Sequence, residues 1–209
     1  MPDWWAREVE SIVERIAVTN ETQARFVIAI AGPPAAGKST FAEALKVRLE
    51  PRAVVLGMDA FHFDDAILVE RGDRDRKGAP HTFDPAAYRH TLDMIKNERS
   101  RDVSIPVFDR SMELSRNCAE IVRTTHDVVI TEGNYLLSDA ELWRPAQELF
   151  DLTVMVGASD AEIERRILER WRSLGHAEDE AAAKARHNDI PNARYVRERS
   201  IEADVDVLS

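Results

Sequence analysis

The sequence predicts an α/β fold, a doubly wound parallel sheet with helices on both faces, and three observations predict it. Short apolar runs recur at 26–31, 53–58, 127–131 and 152–156, each ending in turn residues, as strands buried on both faces do. Segments of helical periodicity alternate with them, the rhythm of βαβ units. Between the first run and a helix-like stretch, Gly32-Pro33-Pro34-Ala35-Ala36-Gly37-Lys38-Ser39 fits GxxxxGKS, the strand, loop and helix order of a phosphate loop.

The loop carries the sharpest chemistry. Backbone N–H groups in such a loop and at the open helix N-terminus converge on phosphate oxygens, and no bulky side chain can intervene at Gly32 or Gly37. Residues Gly32, Pro33, Pro34, Ala35, Ala36, Gly37, Lys38, Ser39 and Thr40 therefore form the predicted cradle of a nucleoside triphosphate. Lys38 reaches the outer phosphates, and the Ser39 hydroxyl can hold Mg²⁺. In the bland alternative, Gly37 caps a turn and Lys38 is a surface charge.

Composition bounds the rest. The 209 residues suffice for one domain with a full core, and 44% hydrophobic against 32% charged residues is an ordinary globular balance. A net charge of −10 argues against a broad nucleic-acid or acidic-membrane footprint. The single cysteine, Cys118, permits no internal disulfide and suggests a reducing compartment. No apolar stretch reaches the roughly 18–20 residues of a membrane span, and Met1-Pro2-Asp3-Trp4-Trp5 does not read as a secretory leader, so a cytoplasmic location is expected.

Taken in order, Trp5, Val9, Ile12, Val13 and Ile16 fall at helical spacing, predicting an amphipathic N-terminal helix within residues 1–20, with Trp4 and Trp5 as docking anchors. The helix after the phosphate loop ends near Pro51. The second strand delivers Asp59-Ala60-Phe61-His62-Phe63-Asp64-Asp65 at its C-terminal end, the edge where open parallel sheets bind ligands. Charged, Gly/Pro-punctuated residues 70–83 read as a loop. Asp84 as N-cap and Pro85 at the first position open a helix running to about Glu98. Alternation at 103–108 and 119–123 predicts two short strands pairing as an antiparallel insert, and 203–208 reads as a last edge strand.

The helix from Asp160 carries four arginines of two kinds. At ~100° per residue, Ile163, Ile167, Trp171 and Leu174 share a stripe, with Arg170 and Arg166 at its margin. Arg165 and Arg172 point away, with Arg165 placed to meet Glu169. Arg166 and Arg170 face the body of the protein and need an anionic partner, either a phosphate or a structural carboxylate. Residues 175–190 then make a polar helix or lid.

Three predicted strand ends thus converge, bearing the phosphate loop, Asp59 and Glu132. Phosphoryl transfer needs a phosphate cradle, a cation, a group that deprotonates the acceptor hydroxyl, and positive charge on the moving phosphoryl. Asp59, across from Lys38, is the candidate base; Glu132, with Ser39, is the candidate metal ligand. The alternatives are a helix N-cap for Asp59 and a turn residue for Glu132.

These residues resemble a family. The phosphate loop, Met58 to Asp64, Arg76 to Asp84, Pro106 to Arg110, Glu132 to Leu137 and Asn188 to Asn192 look like the P-loop small-molecule kinases related to uridine kinase, phosphoribulokinase and bacterial pantothenate kinase, over nearly the whole chain from about residue 24. The resemblance implies a P-loop NTPase sheet of nucleoside monophosphate kinase-like type, ATP and Mg²⁺ as cofactors, and Asp59 as the acceptor-activating base. It implies a single domain in which 64–125 forms an acceptor-binding insert and 165–190 a lid, with Arg166 and Arg170 closing on ATP. It further implies that His62, Phe63, Lys77, Phe83, Phe108, Arg110, Asn134 and Tyr135 shape the acceptor pocket. Pro33-Pro34-Ala35-Ala36 departs from the serine-containing loop interior of uridine kinases, and the chain looks closest to compact bacterial, fructokinase-like members. A sugar or other polyol is the expected acceptor, with nucleoside and pantothenate as alternatives, and a homodimer is left open.

Two rival classes are weighed against this. A guanine-nucleotide switch wants an NKxD motif, which the sequence lacks, and its one DxxG, Asp75-Arg76-Lys77-Gly78, follows no apolar run. A nucleotide sensor without catalysis would not need both Asp59 and Glu132.

Overall fold

The computed structural model describes residues 3–18 and 24–208. Its elements are α1 (Asp3–Val18), β1 (Phe26–Ala31), α2 (Lys38–Leu49), β2 (Ala53–Gly57), α3 (Asp65–Arg71), α4 (Pro85–Asn97), β3 (Val103–Asp109) and β4 (Leu114–Val122). They continue with β5 (Val128–Gly133), α5 (Arg144–Gln147), β6 (Leu152–Gly157), α6 (Asp160–Ser173), α7 (Glu178–Lys184), α8 (Ile190–Arg199) and β7 (Val205–Leu208). Five strands form a sheet in the order β2-β5-β1-β6-β7, every neighbouring pair parallel. The predicted doubly wound sheet is therefore present, and β3 and β4 form the predicted antiparallel hairpin.

Burial alternates along β1 in a way that explains its unbroken apolar sequence. Val27, Ala29 and Ala31 face a core shared with Tyr88 and Leu92 of α4 and with Trp143. Ile28 and Ile30 face the opposite core, with Ile12 of α1, Phe41 and Leu45 of α2, and Ile163 and Ile167 of α6. A strand covered on both faces needs apolar residues at both parities. Asp84 caps α4 by accepting from Ala87 N, with Pro85 in the first turn, as expected.

Four details differ from the sequence reading. Residues 70–83 are not one loop: Glu70 and Arg71 finish α3, and 3-10 turns span Arg74–Arg76 and Pro80–Thr82. Leu68 is the buried residue of α3 while Ile67 and Val69 are exposed, so no apolar stripe announces it. The strand expected at 119–123 begins at Leu114; its residues 116–120, Arg-Asn-Cys-Ala-Glu, are all exposed, so no buried position alternates with them to mark the strand in the sequence. Leu174 leaves the predicted stripe: it is the C-cap of α6, 65% exposed, where Gly175 turns the chain at φ 90°. Helical structure also extends beyond residue 190, through a π-turn at Ala185–Asp189 into α8.

Arg25, just before β1, is fully buried and donates to four main-chain carbonyls: His126 (2.8 Å), Ile95 (2.5 Å), Arg123 (3.0 Å) and Glu98. It ties the C-terminus of α4 to the turn before β5, where the end of a helix presents carbonyl oxygens to a cation. Arg25→Met removes the donors and leaves those oxygens without partners. A loss of about 2–4 kcal/mol is expected in urea unfolding; a change within experimental error would refute the role.

Candidate active site

The sheet order brings the predicted strand ends together. Glu132 of β5 is in register with Ile30 of β1 on one side and Gly57 of β2 on the other. It therefore stands between the strand that feeds the phosphate loop and the strand that feeds Asp59. Asp59 lies in the 3-10 turn Met58–Phe61 directly after β2.

The loop itself is tightly folded. A Cβ on Gly32 would fall 2.1 Å from the Val156 carbonyl oxygen of β6, so main chain approaches where only glycine fits. Ala36 N donates to the Pro33 carbonyl (3.2 Å), and Ala35 takes a positive φ of 62°. Gly37 (φ 99°) is the left-handed N-cap of α2; Ser39 and Thr40 follow in its first turn, exposed. The buried Lys38 donates from Nζ to Pro33 O at 2.9 Å, folding its ammonium back across the loop.

The electrostatics are those of a polar cluster held partly out of water. Burial lowers the Lys38 pKa, opposed by the charges of Glu132 and Asp59. Burial raises that of Glu132, opposed by the charge of Lys38 and by a hydrogen bond from Ser39. Each charge is costly alone and is offset by the other. Asp59 accepts from Arg110 Nη2 at 2.7 Å. Arg110 comes from the tip of the β3–β4 hairpin, which is fixed over the Asp59 turn by Ser115 Oγ donating to Ala60 O at 2.7 Å.

A cleft of about 570 Å³ opens here, lined by Ser39, Asp59, Arg110, Glu132 and Phe108 at one end. Val55, Pro106, Val107 and Ile121 form its middle, and Lys46, Arg123 and His126 its far end, between the outer edge of β2 and the hairpin.

The expected pocket residues divide into groups. His62, Phe83 and Phe108 form one ring cluster, with His62 3.8 Å from Phe83 and 5.3 Å from Phe108 between centroids. Tyr135 packs edge-on to Phe83 at 5.7 Å, donates from its hydroxyl to Gly78 O at 2.7 Å, and is hydrogen-bonded by Asn134. Lys77 reaches the Phe108 ring (5.5 Å) but its ammonium is bound to Asp65 (2.7 Å) and Glu113 O (2.6 Å). The Phe63 ring is covered by the Arg71 guanidinium at 4.2 Å. Lys77 and Phe63 thus have structural partners of their own.

The same holds for the two arginines. Arg166 pairs with Glu162 (2.6 Å) and touches Ala36 O of the phosphate loop (3.3 Å). Arg170 pairs with Asp189 (2.6 Å), which also accepts from Trp171 Nε1 (2.7 Å). Each of the two arginines therefore has a carboxylate partner. Arg165 meets Glu169 and Glu162, and Arg172 meets Glu178, all on the solvent side. Sequence reasoning gave Asp189, Asn188 and Asn192 no role, although they lie in one quoted motif. Asn188 and Asn192 donate to the Lys77 and Gly78 carbonyls (2.6 and 3.2 Å), and the i, i+4 spacing of two asparagines on one helix was the available signal.

His62 gives a pH prediction. Burial lowers its pKa below 6.5, opposed by the charge of Asp59, so the folded protein keeps the ring neutral where the unfolded chain protonates it. Below pH 6.5 the unfolded state therefore binds more protons, and this contribution to stability is lost as pH falls toward the folded-state pKa. His62→Asn should flatten the decline in unfolding free energy between about pH 7 and pH 5 by up to ~1.4 kcal/mol per pH unit. Identical slopes in the two proteins would refute it.

A parallel sheet with a GxxxxGKS loop at the end of β1 and carboxylates at the ends of β2 and β5 defines a P-loop nucleotide-binding kinase fold. The chain belongs to the phosphoribulokinase / uridine kinase family, whose model matches residues 27–208, and that is a family of ATP-using phosphotransferases. It is 32% identical over 163 residues to a pantothenate kinase of Listeria monocytogenes, and 34% over 157 residues to one of Corynebacterium diphtheriae. These alignments cover 74% and 71% of this chain but 52% and 49% of the relatives, so the chain spans about half their length. The structure is similar to that of a "putative fructose transport system kinase" from Silicibacter sp. TM1040, with a TM-score of 0.88, 33% identity, and 97% and 98% of the two chains covered. Among the described residues, no helix is long and apolar enough to cross a membrane.

Proposed function

We propose that this kinase transfers the γ-phosphoryl group of MgATP to a hydroxyl of a small polar metabolite, with a sugar or related polyol as the first choice of acceptor. The observation that carries this reading is the coupling of the buried Lys38 to Glu132 and Asp59, the two carboxylates that line one end of a cleft. Asp59 accepts the acceptor's proton, and Arg110 orients its carboxylate. Lys38 releases the Pro33 carbonyl to meet the β- and γ-phosphates.

Ser39 and Glu132 offer the hard oxygen donors that suit Mg²⁺, and Mg²⁺ takes one or two protein oxygens with phosphates and water completing its shell. Bound there, the ion would neutralise charge on the phosphate oxygens. Residues 165–190 act as a lid over the nucleotide, Arg166 and Arg170 exchanging Glu162 and Asp189 for phosphate oxygens. Residues 64–125 provide the acceptor side through Phe83 and Phe108, on which His62 packs from the turn just before them, with Asn134 and Tyr135 bracing the loop at Gly78.

The structural relative's name supports a fructose-like acceptor. Pantothenate is the second reading: the pantothenate kinases are similar in sequence, and the apolar middle of the cleft suits a longer acceptor than a hexose. The test is acceptor-dependent ADP release across sugars, nucleosides, D-glycerate and pantothenate. Stimulation by at least about tenfold over background hydrolysis by one class identifies it; none from any class would overturn the proposal. With that acceptor, Arg170→Ala should lower kcat by about 10–10³-fold, and an unchanged kcat would remove Arg170 from the lid.

A further inference from the structure

We infer that Trp5 is a positioning residue for the phosphate loop, its indole bracing Gly37 and the first turn of α2 from the outside while the nucleotide occupies the inside. The inference rests on Gly32–Ser39 being the nucleotide site.

Three contacts define the brace. A Cβ placed on Gly37 would lie 3.0 Å from Trp5 Cη2 and 3.2 Å from Cζ2, so the indole is packed directly against the glycine's main chain. The same ring meets Phe41 edge-on, with centroids 5.6 Å apart and planes at 89°. Phe41 N in turn donates to Gly37 O at 2.9 Å. One side chain of α1 thus grips both ends of the turn whose open N–H groups receive phosphate.

The other restraints act from elsewhere. Lys38 and Ala36 bind the Pro33 carbonyl from within the loop, and Arg166 binds Ala36 O from α6. Lys38 must leave Pro33 to reach a phosphate, and Arg166 belongs to the proposed lid. Trp5 stays in place when both have moved, and unlike the Ala36–Pro33 bond within the loop it acts on Gly37 itself. Gly37 holds a φ of 99°, a conformation open to glycine but shallow, and packing against a rigid two-torsion side chain narrows its excursions. Docking of α1 needs no tryptophan at this position, since Val9, Ile12 and Ile16 are already buried at 2%, 0% and 1% exposure.

The test separates bracing from docking by titrating MgADP into the full-length protein, well below each variant's melting temperature. Trp5→Ala should raise Kd about tenfold, because the loop must be ordered on binding. Trp5→Phe should restore Kd to within about twofold, the aromatic contact to Phe41 being retained. Ile12→Val, which loosens the same helix away from the loop, should leave Kd unchanged. If Trp5→Ala does not fold, Trp5→Leu carries the same expectation, since leucine covers the core without reaching Gly37. Amide exchange at 37–41 in the nucleotide-free protein should accelerate in the Ala or Leu variant and not in Ile12→Val. A wild-type Kd for Trp5→Leu, or an equal loss in Ile12→Val, would overturn the inference. A wild-type protein that does not bind MgADP would overturn the nucleotide site itself.

Discussion

Asp59→Asn should lower kcat by ~10²–10⁴ while leaving the affinity for MgADP within about twofold of wild type, the signature of a lost general base. The substitution keeps the side chain's shape in its turn after β2 and removes the negative charge that Arg110 now binds at 2.7 Å. Arg110 is 68% exposed, so water can take over its solvation and folding stability should change little. The nucleotide cradle is built from other atoms, the Gly32–Ser39 main chain and Lys38, so its affinity has no reason to follow kcat. Isothermal titration with MgADP and acceptor-dependent turnover, measured on the same preparation, decide the matter. A parallel loss in both would mean that Asp59 holds the site together and takes no part in proton transfer.

That prediction could be framed from the sequence, and the reason is physical. A strand buried on both faces writes itself as an apolar run, and the turn that must follow it at the C-terminal edge marks where a functional side chain can stand. Phe26–Ala31, Ala53–Gly57, Val128–Gly133 and Leu152–Gly157 were all legible on that basis, and with them the convergence of Lys38, Asp59 and Glu132. Less legible were features with no local period. Helix α3 has one buried residue, so its boundary with the charged stretch could not be seen. The extra length of β4 runs through consecutive exposed residues with no buried position between them. Asp189 could not be matched to Arg170, because an ion pair spanning α6 and a π-turn leaves no spacing signature. The partnership matters: the same arginine is a structural tie to Asp189 and a proposed phosphate ligand, and the helical wheel that turns it toward the body does not show that its side chain is 43% exposed.

Lys38→Met should have the larger effect on the overall reaction, lowering kcat/KM by at least about 10³ and weakening MgADP binding as well. The lysine performs two tasks. It supplies the positive charge for the phosphates, and it offsets the charges of Glu132 and Asp59, which line one end of the cleft. Methionine fills the volume but removes both. Glu132, already pushed up by burial, would then lose the Lys38 charge that holds its pKa down, while the like charge of Asp59 remains to raise it. The sign follows directly. With its folded-state pKa raised above the unfolded value, Glu132 favours the folded state most at low pH, and that contribution is lost as pH rises through the folded-state pKa. The variant should therefore keep more of its wild-type stability near pH 5 than near pH 8, and Glu132→Gln in the same background should abolish the difference. Unfolding curves at the two pH values measure this without nucleotide or acceptor. A stability difference independent of pH would mean that Lys38 and Glu132 are not electrostatically coupled, and the proposed pairing of phosphate ligand and metal ligand across the loop would lose its physical basis.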